Sequence, residues 1–174
     1  MRVRNRTEFS EDLLQDLATI ALLNERTAVP ILVLTPTDTT TNINQASFTQ
    51  APVFGEVLEI NANGDFTVLN EEEIEINFDG FIEINANVHY RSNGQRAALQ
   101  AIFTLDDEAK GAMASTGYIR GQTNHREASL HHANIYLAVS TGQILKYKTK
   151  RESSNTNACT LFTTSQISIK KVIT

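Results

Sequence analysis

Three clusters of side chains in this 174-residue chain could carry chemistry. His125, His131 and His132 lie close together and could bind a metal or respond to pH. On a strand, however, the adjacent His131 and His132 point to opposite faces and cannot easily share one ion. Surface or interface histidines are the plainer reading. Glu71, Glu72, Glu73 and Glu75, with Asp79, supply oxygen ligands for a hard cation. Nothing in the run fixes ligand geometry, so a solvated loop is the plainer reading. Lys146, Lys148 and Lys150, followed by Arg151, recur two apart, opposite Leu145, Tyr147 and Thr149. That is an outward sheet face, or a contact for an anionic glycan or another acidic surface.

Catalytic signatures are missing from the sequence. It holds no phosphate-cradling glycine loop, paired cysteines, HExxH or GxSxG. No Ser–His spacing singles out a nucleophile. The expectation is a protein without enzymatic activity or cofactor. Carboxylates that meet only in the fold leave a subunit-boundary enzyme as a third reading, to be probed at Glu75, Asp79 or His125.

The net charge of −5 argues against a nucleic-acid binder, and no apolar run is long enough to insert in a membrane. Cys159 is the sole cysteine, so no intramolecular disulfide holds the chain. The first residues lack a signal peptide's apolar stretch and cleavage site. This points to synthesis in a reducing cytoplasm, with export, if any, inside a larger particle.

Three zones are expected. Residues 1–36 begin with a basic arm, Arg2, Arg4 and Arg6. Ser10 is a good N-cap, and Phe9 can staple onto Leu14. Leu13, Leu14, Leu17 and Ile20 then recur at helical spacing, predicting an amphipathic helix over Glu11–Asn24. Val29–Leu34 follows as a short extended segment. Residues 37–52, rich in Thr and Asn, read as a linker or arm pinned by Ile43 and Phe48. Residues 53–174 read as short strands separated by Asn-Gly, Asp-Gly and Thr-Gly turns, an all-β sandwich or barrel. The Gly/Ala-rich stretch Ala109–Ala114 is expected to be a loop.

The firmest strand is Phe81–Tyr90. Ile82, Ile84, Ala86, Val88 and Tyr90 fall on one face, and Glu83, Asn85, Asn87 and His89 on the other. Ala97–Leu105 and Ala133–Val139 are instead apolar on both faces. They call for a second buried surface: a subunit contact, or cover from loops or the N-terminal arm.

The third zone resembles the TNF/complement-q globular-head jelly roll. Asn63-Gly64-Asp65-Phe66-Thr67-Val68 is similar to the family's tight turn and following strand. Asp79-Gly80-Phe81-Ile82-Glu83-Ile84-Asn85-Ala86-Asn87-Val88 looks like its Pro-Gly-led strand. Leu130–Val139 with Thr141–Leu145 resembles its paired strands, and Thr164–Ile169 its closing strand. Asp79, Gln143 and Ser165-Gln166 depart from the pattern, so no receptor or calcium function is carried over.

The resemblance implies a two-sheet jelly roll, preceded here by the short helix and extended arm, that assembles as a homotrimer. Ile102, Phe103, Tyr136 and Leu137 are then the expected trimer interface, with Tyr136 on the strand lining the three-fold axis. Heads of this kind behind a short, non-collagen N-terminal piece look like phage head-decoration, head-fibre and fibre-tip proteins. The implied role is a capsid-decorating virion protein. It would be anchored to a major capsid or other virion protein through Arg2, Arg4, Arg6, Phe9, Leu13, Leu14, Leu17 and Ile20. The alternative is a fibre head that binds a host receptor or surface glycan, with Asn93–Arg96 and Arg120–Arg126 as its loops.

Overall fold

A computed structural model describes residues 29–61, 64–116, 126–152 and 154–172. The predicted helix and the anchoring residues from Arg2 to Ile20 lie outside them. The described residues form twelve strands, all paired antiparallel, in two sheets.

The first sheet contains β1 (Ile31–Thr35), β3 (Glu56–Asn61), β6 (Gly80–Ser92), β9 (Glu127–Val139), β11 (Cys159–Leu161) and β12 (Gln166–Val172). Its spatial order is β3-β1-β12-β6-β9, with β11 in line with β12 along the same edge of β6. The second contains β2 (Thr49–Gln50), β4 (Phe66–Asn70), β5 (Glu73–Ile76), β7 (Leu99–Leu105), β8 (Glu108–Ser115) and β10 (Ile144–Arg151). Its order is β4-β5-β10-β7-β8, with β2 against β10.

β6 follows the alternation expected of it. Ile82, Ile84, Val88 and Tyr90 are fully buried, while Glu83, Asn85, Asn87 and His89 are half-buried on the other side. β10 does the same, burying Leu145, Tyr147 and Thr149 and turning its lysines outward. Both sheets thus contribute one apolar face, and those faces close a single core.

The head begins earlier than residue 53. β1 sits between β12 and β3, and Leu32 and Leu34 are wholly buried. A run of five mostly apolar residues gains more from a place inside the sheet than from an exposed anchor. The Thr/Asn-rich zone is also part of the sandwich. Ile43 is buried, its N–H bonds the Cys159 carbonyl, and its own carbonyl accepts from Thr149 Oγ1. Asn44 donates to the carbonyls of Asn155 and Asn157.

Ala109–Ala114 is a strand, not a loop. The β7–β8 hairpin turns at Asp106 and Asp107, with φ of 49° and 68°. Where β8 crosses the edge of β9, Gly111 has no room for a side chain. A side chain at Gly111, whose φ is +74°, would come within 2.8 Å of Ile135.

Candidate functional site

The outer face of the first sheet exposes two aromatic side chains. Period two places Phe81, Glu83, Asn85, Asn87, His89 and Arg91 on this face of β6. Across the register, Phe81 faces Ala138 and Val172, and Glu83 faces Tyr136 and Lys170. Tyr136 is 60% exposed and Phe81 46% exposed. The two are diagonal neighbours on adjacent strands, close enough for aromatic side chains to share one patch. Exposed Ala138 and half-buried Val172 and Ile31 extend it. The other end of the face is polar, with His89, His131, Ser129 and Arg91.

A bulge sets this pattern. Leu130 and His132 point inward, and strict alternation would send Tyr136 inward as well. The register of β9 against β6 shifts between Ile84 and Ala86, so His132 pairs with Ala86 while Ile135 pairs with Ile84. Ala133 and Asn134 take up the extra length, Asn134 at φ 52°. The phase reverses beyond them, burying Ile135, Leu137 and Val139 and exposing Tyr136.

The four residues expected to form one trimer interface do not share a face. Ile102 is half-buried on the outside of the second sheet, opposite Lys148. Phe103, its neighbour, must then face inward, and it is fully buried. Leu137 is buried in the same core. Buried residues have no surface left to offer a neighbour, so only Tyr136 remains open on the first sheet. The sequence reading passed over Phe81, although alternation already set it opposite Ile82.

The other clusters also separate. His131 is exposed and His132 buried, and His125 lies outside the described residues. His132 packs edge-on against Phe103 and Tyr147, with centroids 5.2 and 5.6 Å away. Burial pushes its pKa down to about 4, against a hydrogen bond with the Ala112 backbone that raises it; nearby His131 lowers it further. Glu73 is bound by Gln50, Asn70 and Lys146, and Asp79 accepts from the Thr141 N–H. Among the described residues, no group of three His, Cys, Asp or Glu could hold a metal. The lysine stripe is matched internally. Lys146 pairs with Glu73 and Asp107, Lys148 with Asp107, and Lys150 lies 4.7 Å over the Phe48 ring.

Two clefts, each of about 360 Å³, open at the polar end of β6. One is lined by His89, Glu127, Ala128, Ser129, Phe162 and Thr164. The other is lined by Arg91, Ser92, Asn93, Arg126, Ala158 and Thr160.

No protein-family model matches this sequence, and neither does any curated protein. Solved structures do match. Murine APRIL at pH 8.0 superposes with a TM-score of 0.60 at 11% identity, covering 83% of this chain and 99% of that one. Eiger TNF from S. frugiperda gives 0.61 at 11% identity, covering 83% and 93%. The globular domain of zebrafish complement 1qA gives 0.54 at 13% identity, covering 84% and 98%.

The fold is the TNF/complement-1q jelly roll.

At such low identity the likeness concerns the fold alone. In this TNF/1q-like head, the β9 bulge, the Phe81–Tyr136 patch and the arginine-lined cleft are features of the chain's own residues.

Proposed function

We propose that the chain is a non-enzymatic, homotrimeric interaction head, assembled through the outer face of its first sheet. The observation that carries this is the pair of exposed aromatics, Phe81 and Tyr136, side by side on that face with Ala138 and Val172. Aromatics supply the largest area per residue at an interface and are enriched at its centre. A TNF/1q-like fold supports a three-fold arrangement. Light scattering on the purified full chain tests it. A mass three times 19.3 kDa is expected, and a monomer at micromolar concentration overturns it.

Within this reading we place the head on a virion surface as a capsid-decorating knob docked through residues 1–28. The support is the resemblance of the head to such proteins and the basic, amphipathic character of that segment. Co-sedimentation with capsids, lost when the segment is removed, is the expected result. A second reading is a receptor- or glycan-binding fibre head. Its specific support is the cleft between Arg91 and Arg126.

A further inference from the structure

Three neighbouring backbone segments build the arginine-lined cleft. The end of β6 supplies Arg91, Ser92 and Asn93, the residue before β9 supplies Arg126, and β11 with the residue before it supplies Thr160 and Ala158. Its backbone is well fixed. Ser92 N–H donates to the Arg126 carbonyl at 2.8 Å, and Asn93 N–H to the Ala158 carbonyl at 2.9 Å. Arg91 pairs in register with Thr160 on one side and Glu127 on the other.

The charges are unbalanced. Arg126 donates through Nη1 to the Asn93 carbonyl, which holds the guanidinium in place without neutralising it. Its Nε is shielded from solvent and has no hydrogen-bond partner. A shielded guanidinium N–H with nothing to donate to is costly. Glu127 stands beside Arg91 in the register but lines the adjacent cleft, and no ion pair joins them among the described residues.

We propose that this cleft binds the carboxylate of an acidic sugar. Arg91 and Arg126 both line the cleft, and guanidinium N–H groups suit a planar carboxylate. The remaining polar side chains of the lining, Asn93 and Thr160, offer both donors and acceptors, as ring hydroxyls require. The volume of about 360 Å³ is enough for a single sugar unit. Arg91 stands ten residues from Phe81 along β6, roughly 33 Å, so the cleft lies clear of the aromatic patch. The proposal rests on the receptor-head reading and gives it a site and a ligand class.

The test is calorimetric titration of the full chain with the 2-O-methyl glycoside of N-acetylneuraminic acid. Its methyl ester, glucuronate and inorganic phosphate are titrated in parallel. The free acids should bind, and the ester should bind roughly tenfold more weakly or worse, the loss expected when a charged hydrogen-bond pair is removed. Arg126→Gln should weaken the acid by a similar factor. Arg91→Gln should do the same while leaving the Arg126–Asn93 hydrogen bond intact, which separates ligand loss from loop disturbance. Both variants should keep the wild-type mass and melting temperature. Equal binding of acid and ester, unchanged binding in both variants, or phosphate binding as tight as either sugar acid would each overturn the assignment. Acid binding that survives both substitutions leaves the receptor-head reading standing at another site. Absence of binding to these probes and to a broad glycan array removes both.

Discussion

The side-chain oxygen of Asn85 accepts a hydrogen bond from the backbone N–H of Asn134, 2.8 Å away across the β6–β9 pair. Asn134 is the left-handed residue of the β9 bulge, a backbone conformation that asparagine tolerates better than most residues. Without the bond, a bulge N–H would lose its partner and the extra residue its anchor. Asn85→Ala should therefore cost about 1–2 kcal/mol in urea unfolding. Because the bulge turns Tyr136 outward, the same change should weaken the trimer. A variant as stable and as trimeric as the parent would show that the bulge holds its phase without Asn85.

His132 gives the fold an acid-sensitive element. Its folded pKa, near 4, lies below the ordinary value of 6.5 because burial disfavours the charged ring. The unfolded chain therefore takes up the proton first as pH falls. Stability from this group is complete above about pH 6.5, declines between about 6.5 and 4, and levels off below. The full loss is on the order of 3 kcal/mol. Carboxylates titrate at the lower end of that range, so the informative comparison is with His132→Leu. The variant should lose the pH dependence between 6.5 and 5, and matching slopes in variant and parent would exclude His132 as its source.

Tyr147 lies against the same ring, wholly buried, and its hydroxyl has no hydrogen-bond partner. Burial raises its pKa far above the usual range. Removing an unsatisfied hydroxyl costs nothing in hydrogen bonding and relieves its desolvation. Tyr147→Phe should be neutral or stabilise by up to about 1 kcal/mol. A loss above that, measured by thermal unfolding, would mean that the hydroxyl is satisfied after all. Phe103→Ala, which leaves a cavity beside both rings, should cost about 3–5 kcal/mol.

Sequence legibility followed the strength of local signals. β6 could be read residue by residue because one of its faces is dry over its whole length. β8 could not, since Ala109, Gly111, Ala112 and Ala114 are poor strand formers, and only the crossing of Gly111 over Ile135 explains the glycine. The Thr/Asn-rich zone was unreadable for another reason. Asn44 and Ile43 are fixed by bonds to residues more than a hundred positions away, which no local pattern announces. Tyr136 could be named but not oriented, because its facing depends on a bulge rather than on alternation. Arg91 and Arg126 come together only through the register of β9 on β6.

The aromatic patch makes the sharpest demand on the trimer proposal, because three placements predict three outcomes. Tyr136 and Phe81 lie on the outer face of the first sheet, Ile102 on the outer face of the second, and Phe103 between the sheets. A charge placed at the centre of an apolar contact must be desolvated without a partner, a cost of several kcal/mol repeated at each contact. Tyr136→Asp and Phe81→Asp should therefore each yield folded monomers by light scattering. Ile102→Asp should leave the trimer intact, because its face is turned away. Phe103→Asp should unfold the head rather than dissociate it. Trimers that survive both outer-face substitutions would place the three-fold contact elsewhere. Loss of the trimer in Ile102→Asp alone would move it to the second sheet.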